Sequence, residues 1–145
     1  MKLRLLFAAI FIPAAALAQD IPASQVPAAV TTAFKAKFPN TSHLEWEKKG
    51  TLYEAEFHVN NVDHKALLSE QGQLQQFKED IPVTDLPQAV KQAIKTNYKA
   101  FRIDDAEKVT RGSASYYQVE LDGEPHDQKI VMTPAGKVVQ DMQYW

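Results

Sequence analysis

The chain has 145 residues, with 16 basic against 18 acidic side chains and no cysteine. This composition excludes disulfides, a cysteine nucleophile and thiolate metal sites. It also contains no basic cluster of the kind that neutralises nucleic-acid phosphates, so we expect no nucleic-acid partner.

Residues 1–18 have the three-part layout of a secretory signal peptide. Two basic residues precede an apolar run that begins at Leu5, contains Pro13 and ends in a small-x-small site. A membrane-spanning helix needs roughly 20 apolar residues, so this run is too short for an anchor. We predict cleavage between Ala18 and Gln19, which leaves 14 basic and 18 acidic residues and a net charge of −4. The product is expected to be periplasmic or secreted, with no membrane span.

The remaining chain contains an internal repeat. "IPASQVPAAV" at residues 21–30 returns as "IPVTDLPQAV" at residues 81–90, an offset of 60. Further along, "YEAEF" at 53–57 matches "YQVEL" at 117–121 with an offset of 64. The four extra residues fall within 109–115, where we predict a longer hairpin loop. A fixed period of this kind indicates a duplicated structural unit.

Each repeat opens with a predicted amphipathic helix. Apolar residues recur at spacings of three and four over residues 26–38 and again over 86–98. Ser24 and Thr84 precede these runs and are predicted as N-caps, because a hydroxyl can accept a hydrogen bond from a free first-turn N–H.

A predicted β-hairpin follows the first helix. Residues 52–59 alternate between apolar and polar side chains, which is typical of a half-buried strand. The asparagines at 60–61 suit a two-residue turn, because asparagine tolerates a positive φ. Such a turn fixes the register of the hairpin and places Glu56 opposite Lys65.

Further strands complete each repeat, and glycine turns at Gly72 and Gly136 lead into the closing strands. The fold class predicted is α+β, with two tandem repeats that each have one N-terminal helix packed on an antiparallel sheet of about four strands. These additional strands are predicted near residues 44–48, 74–77, 105–109 and 138–142.

We therefore divide the chain into a signal peptide at 1–18, a first repeat at 19–80 and a second repeat at 81–145. A lone half of about sixty residues would bury a marginal core. For this reason the two repeats are expected to pack or pair as one body.

The ordered motifs resemble the PepSY-like family, which is grouped structurally with the tandem-repeat beta-lactamase inhibitor protein. The resemblance covers residues 21–145 and is carried by "VPAAVTTAFKAKFP", "YEAEF" and "QGQL", then by "LPQAVKQAIKTNY", "YQVEL" and "AGKV". It implies an exported, non-catalytic module with helices on one side of an antiparallel sheet. By analogy of fold, it also implies inhibition of an enzyme such as a peptidase or beta-lactamase.

The sheet face away from the helices is the candidate partner-binding surface. Strand parity places the polar hairpin side chains there. Trp145 and Tyr116 are candidate exposed aromatics; such residues anchor partners, although isolated exposed aromatics are also ordinary. The predicted partner-binding residues are Glu54, Glu56, His58, Lys65, Tyr116, Gln118 and Glu120.

The histidines around the first hairpin turn do not indicate a metal site. His58 and Asp63 share the polar face, but the register places His64 on the opposite one. Because a metal site needs several converging ligands, we predict a surface His58–Asp63 pair, no metal and no cofactor.

No catalytic constellation is recognisable in the sequence. It has no Gly-x-Ser-x-Gly elbow and no phosphate-binding glycine loop, and the paired carboxylates Glu54 and Glu56 fit a solvated strand face. We predict a non-enzymatic exported protein that binds a protein of the cell envelope. The alternatives are a periplasmic protein that binds or senses a small ligand or metal ion between the repeats, an enzyme inhibitor, and an unrecognised hydrolase.

Overall fold

The computed structural model describes residues 19–145. The predicted signal peptide at 1–18 lies outside the described residues, and of the predicted cleavage pair only Gln19 falls within them. Within the described part of the chain, no helix is both long enough and apolar enough to cross a membrane.

The described chain has two helices on one face of an eight-stranded antiparallel sheet, in which the strands follow one another in chain order. The α+β class is therefore as predicted. The helices are α1 (Ala28–Lys37) and α2 (Gln88–Asn97). The strands are β1 (Gln19–Asp20), β2 (Ser42–Lys49), β3 (Leu52–Val59), β4 (Val62–Ser69), β5 (Leu74–Asp80), β6 (Arg102–Arg111), β7 (Ala114–Asp122) and β8 (Gln128–Met132).

Both helices begin immediately after a proline. Pro27 and Pro87 occupy the N-cap positions and make no side-chain capping bond. Ser24 and Thr84 lie instead in the short 3-10 turn before each helix, so their prediction as N-caps is wrong. The reason is that a proline disfavours the helical conformation in the residue before it, which prevents the helix from starting further upstream.

The β3–β4 hairpin has the predicted turn and register. Asn60 and Asn61 both have positive φ, 52° and 63°, as a two-residue turn of this type requires. Glu56 lies opposite Lys65, and the two side chains form an ion pair. Both predictions are confirmed.

The hairpin between β6 and β7 is longer than its counterpart in the first repeat, but its loop is not. A two-residue turn that contains Gly112, with φ of +59°, joins the strands. The four extra residues add two pairs to the ladder, Thr110 with Ser115 and Arg111 with Ala114. The predicted longer loop is wrong, because the added residues continue the backbone hydrogen bonding that a loop would forgo.

Strand β5 belongs to both repeats. It pairs with β4 on one side and with β6 on the other. Asp20 in β1 pairs with Glu47, and sixty residues later Asp80 pairs with Glu107, so the end of β5 is the second repeat's copy of β1. The repeats therefore share one sheet without a linker.

The second repeat does not form the closing strand predicted near residues 138–142. After the turn at Gly136, only Val138 makes a β-bridge, to Met132. The first repeat's closing strand, β5, pairs on both edges, whereas in residues 19–145 the sheet ends at β8. Residues 140–145, here called the return segment, instead bring Trp145 onto the other face of the sheet.

The apolar core lies between the helices and the sheet in two clusters. The first is aromatic: the Phe34 ring is 4.9 Å from Phe57 and 5.2 Å from Trp46, centroid to centroid. The second is mainly aliphatic and contains Val90 and Ile94 of α2. Because α1 and α2 cover the same face, no helix of residues 19–145 lies over the opposite face of the sheet.

Candidate functional site

The open face is the sheet surface away from both helices. Strand register brings all seven predicted partner-binding residues to it, along with side chains that we did not predict. From β3 to β7 it presents Glu54, Glu56, His58, Lys65, Gln76, Lys78, Glu107, Tyr116, Gln118 and Glu120.

The seven predicted residues differ in exposure. Glu54 and Gln118 are fully buried, at 0% exposure. Glu56 and His58 keep more than a third of their side-chain surface accessible, and the others are half-buried. Two of the seven are therefore beyond the reach of a partner in this conformation.

A layer of buried polar side chains occupies the centre of the open face. All five buried polar residues in the described chain belong to it, and none has an unpaired polar atom. Lys78 Nζ donates to Glu107 Oε1 at 2.5 Å, and Arg111 donates to Gln76 Oε1 at 2.6 Å. Pairing is required here because an unpaired buried charge costs several kcal/mol.

Trp145 of the return segment lies over this polar centre. Its indole Nε1 donates to Glu54 Oε2 at 2.5 Å, and its main-chain oxygen accepts from Lys78 Nζ at 2.6 Å. The Gln118 amide, in the orientation that satisfies its hydrogen bonds, accepts from Trp145 N at 2.5 Å and donates to Trp145 O at 3.0 Å. The face thus binds both the side chain and the main chain of this tryptophan.

Tyr144 adds a second aromatic contact. Lys129 Nζ lies 5.1 Å from the centroid of its ring, within cation–π range. Burial, the negative charge of Glu107 and a hydrogen bond to that carboxylate raise the pKa of the Tyr144 phenol well above its ordinary value. The phenol therefore stays protonated and donates to Glu107.

Sequence reasoning missed Lys78, Glu107 and Tyr144 as members of this site. The signal for Lys78 was its strand parity, but we predicted that β5 ends near residue 77. No local pattern indicates that the return segment crosses the face, because that contact joins residues as distant as Glu54 and Trp145.

A groove of about 500 Å³ lies beside the polar centre, and residues of both repeats line it. At its rim, His58 Nε2 is 2.8 Å from Asp63 Oδ1, which confirms the predicted surface pair. His64 stacks between Phe57 and Phe77 of the core, as the predicted register requires.

Half of the side chains that line the groove are acidic, and their charges help to raise the pKa of one carboxyl group among them. Burial, reinforced by the carboxylates of Asp105, Glu107 and Asp63, raises the pKa of Asp80 to about 6, although Lys78 partly opposes the shift. Asp80 therefore changes protonation state in mildly acidic conditions.

One group of carboxylates in the described chain is compact enough to hold a metal ion. The oxygens of Glu47, Glu54 and Glu56 lie within 4.8 Å of one another. These carboxylates already accept from Lys49, Lys65 and the Trp145 indole. Ammonium groups at this distance neutralise the cluster and compete with a cation, so the donor set favours internal ion pairing.

The fold and this face define a class of proteins: tandem-repeat α+β proteins with both helices on one side of an open antiparallel sheet. The chain belongs to the PepSY-like family, since the family model described as "Putative beta-lactamase-inhibitor-like, PepSY-like" matches residues 15–76 and again 73–140. The two matches overlap at 73–76, where the strand that both repeats share begins. The resemblance seen in the sequence is confirmed.

Several solved structures have the same fold. A DUF2874 family protein from Bacteroides uniformis is 24% identical with a TM-score of 0.72, covering 79% of this chain and 86% of that one. One of the "putative periplasmic proteins" from Bacteroides eggerthii is 20% identical with a TM-score of 0.73, covering 79% and 86%. A BLIP-like protein from Bacteroides fragilis is 18% identical with a TM-score of 0.67, covering 82% and 92%. No protein with a curated description matches this chain.

Proposed function

We propose that this protein is an exported, non-enzymatic binding protein that engages a protein partner through its open face. The observation that carries the proposal is that this face, which α1 and α2 leave uncovered, already holds an aromatic segment of its own chain in a polar centre. The name of its family, beta-lactamase-inhibitor-like, and the periplasmic description of a protein of the same fold support the proposal.

A partner would bind around the buried centre, through the side chains that remain accessible. Glu56 and Lys65 form an ion pair there, and His58 pairs with Asp63. Tyr116 is half-buried on the same face and offers the kind of aromatic surface that dominates many interfaces. The charged pairs would contribute mainly to orientation and the rate of association.

Affinity capture tests this proposal. The tagged chain 19–145 is exposed to envelope extract of its own organism, and the recovered proteins are identified by mass spectrometry. We expect one partner near stoichiometry, and at least a tenfold loss of affinity, about 1.4 kcal/mol, for Tyr116→Ala or Glu56→Ala. Lys35→Ala, at an exposed position of α1, is the control.

Unchanged capture by both open-face variants, each with its native melting temperature, would contradict this placement of the interface. If the partner is an enzyme, its activity in the presence of the protein tests inhibition directly. Export is tested separately, by the mass of the mature protein, whose first residue is expected to be Gln19.

A small ligand bound in the groove between the repeats is the second candidate function. The favouring observation is that one continuous cavity is lined by His58 and Asp63 of the first repeat and by Asp105 and Glu107 of the second. A rise in melting temperature with a member of a metal and metabolite panel, lost in Asp63→Asn, would support it. An unchanged melting curve across the panel would count against it.

A further inference from the structure

We propose that the polar centre of the open face is a recognition site for an extended peptide segment of a partner that presents a tryptophan. In this view Tyr144 and Trp145 occupy the site in cis, as a stand-in for the partner's segment. The inference rests on the proposed function, because it uses the same face, and it adds the chemistry of the partner.

The hydrogen bonds to Trp145 are those by which a protein reads a peptide main chain. Lys78 and Gln118 bind the main-chain oxygen, and Gln118 also accepts from the main-chain N–H. Every peptide offers these two groups, so the pair fixes the position and direction of a bound segment without selecting its sequence.

Selection for tryptophan comes from Glu54. Its Oε2 accepts from the indole N–H, and its Oε1 accepts from Lys49 Nζ at 2.6 Å, which holds the carboxylate in its position beneath the indole. Tryptophan is the one aromatic side chain with an N–H donor on a large ring. A phenylalanine in its place would leave the buried carboxylate one partner short.

The surroundings of the indole also favour an electron-rich ring. Lys78 Nζ lies 6.0 Å from the centroid of the Trp145 ring, at the edge of cation–π range. With Trp145 in place, Glu54 and Gln118 are fully buried and Lys78 is nearly so. Ion pairs with Lys49 and Glu107, which also belong to the sheet, hold Glu54 and Lys78 in position, so the sheet itself preforms these groups. Preformed donors and acceptors lose little freedom when a ligand binds.

The stand-in sets the affinity that a partner must have. A segment tethered to the site acts at an effective concentration of about a millimolar for a short flexible tether. The partner's segment must therefore bind more tightly than the chain's own one, or be held by the rim of the open face as well. A chain that lacks the Trp145 side chain should bind the same segment in trans with higher apparent affinity.

The test uses the full chain with Trp145→Ala and two synthetic peptides. One is "VQDMQYW", the chain's own residues 139–145, and the other is "VQDMQYA". Binding of each fluorescently labelled peptide is measured by anisotropy, with circular dichroism as the check of folding. We expect the Trp145→Ala variant to bind the tryptophan peptide at least about tenfold more tightly than it binds the alanine peptide. We also expect the tryptophan peptide to bind this variant at least about tenfold more tightly than it binds the native chain.

A second substitution tests the role of the carboxylate. In the Trp145→Ala background, Glu54→Gln should weaken the tryptophan peptide several-fold, since a neutral amide is a poorer acceptor for the indole N–H. Glu45→Gln, an exposed position near the rim, is the matched control and should change nothing.

If Trp145→Ala does not give a native spectrum, Trp145→Phe replaces it in the same titrations, because it keeps an aromatic ring at this position and lacks the indole N–H. Equal binding of the two peptides, or no binding of either by a folded variant, would overturn the inference. In that event the proposed function would still be supported if affinity capture recovers a partner and this capture depends on Glu56 and Tyr116. Peptide binding without any captured partner would contradict the proposed function but not the recognition site.

Discussion

At the scale of single residues, Lys78 connects the two repeats and the return segment. Its ammonium group donates to Glu107 across the β5–β6 pairing and to the main chain of Trp145. The Lys78 and Glu107 side chains are each only 8% exposed. A surface pair such as Arg102 with Asp122 contributes little, but a buried pair leaves an uncompensated charge when one member is removed.

We expect Lys78→Met to lower the free energy of unfolding by about 3 kcal/mol, because the Glu107 carboxylate would stay buried without its counter-ion. Urea denaturation measures the change. The double substitution Lys78→Met with Glu107→Leu should recover most of the loss, since neither charge is then buried alone. Arg102→Met is the exposed control; a loss as large as that of Lys78→Met would contradict this account.

Asp80 gives the stability of the protein an unusual dependence on pH. Its pKa in the folded state is about 6, above the value of about 3.9 for an unfolded aspartate. Between these values the folded state binds more protons than the unfolded state, so this group makes the free energy of unfolding fall as the pH rises. Above about pH 6 the folded state carries the full cost of the charge.

Asp80→Asn should therefore raise the stability at about pH 7 by on the order of 1 kcal/mol, after allowance for partial solvent screening, and change it little at about pH 4. Scanning calorimetry at the two pH values measures the difference. Asp141→Asn, at an exposed position, serves as the control. A gain of the same size at both pH values would show that the charge of Asp80 is not its cause.

At the scale of elements, each helix is fixed to the sheet by a glycine turn that presses against it. A Cβ at Gly72 would lie 2.6 Å from Ala29 O and 2.8 Å from Ala33 Cβ. A Cβ at Gly136 would come similarly close to the corresponding atoms of α2. Gly72 also has a φ of +80°, which favours glycine. A helix of 10 residues is marginal alone, so this close contact and the buried apolar face hold it in place.

Gly72→Ala should cost at least about 2 kcal/mol of unfolding free energy, from the left-handed backbone and from the displacement of α1. Chemical denaturation is the measurement. Gly50→Ala separates the two causes: Gly50 has a φ of +62°, but a Cβ added there would meet nothing within 4 Å, so only the backbone term remains. Equal losses at the two sites would show that the contact with the helix contributes nothing.

At the scale of the whole molecule, the two core clusters are joined by the backbone pairing of β5 with β6, which links five residue pairs. We propose that repeat 1, 19–80, and repeat 2, 81–145, unfold together, because β5 cannot leave one repeat without breaking the other. A chain of this size with a shared sheet should give a single cooperative transition.

Ile94→Ala, which removes apolar volume from the second cluster, tests this cooperativity. It should lower the free energy of unfolding by about 3 kcal/mol. In a Trp145→Phe background, Trp46 of the first cluster is the remaining tryptophan. We expect its fluorescence to report the same shifted transition as circular dichroism. An unshifted fluorescence transition would mean that the repeats unfold separately.

The elements that were predicted well are those whose signals are local or repeated. Apolar residues at spacings of three and four located both helices, the offset of 60 residues showed that the two correspond, and the Asn60–Asn61 turn fixed the β3–β4 register. The errors arose where another physical effect outweighed the local signal. Prolines occupy the N-cap positions in place of the expected residues, and the four extra residues at 109–115 form backbone pairs between β6 and β7 rather than a loop. The seven candidate residues reached one face because strand parity is a local property.

Sequence alone determined the duplication, the family, the class of fold and the face on which each strand residue lies, because these follow from periodicity and from short-range turn geometry. Tertiary structure alone decided that β5 serves both repeats, that Glu54 and Gln118 are buried, and that Trp145 lies on them. These features depend on contacts between residues far apart in the chain. No local pattern encodes such a contact, since its free energy exists only once the sheet has brought the two segments together.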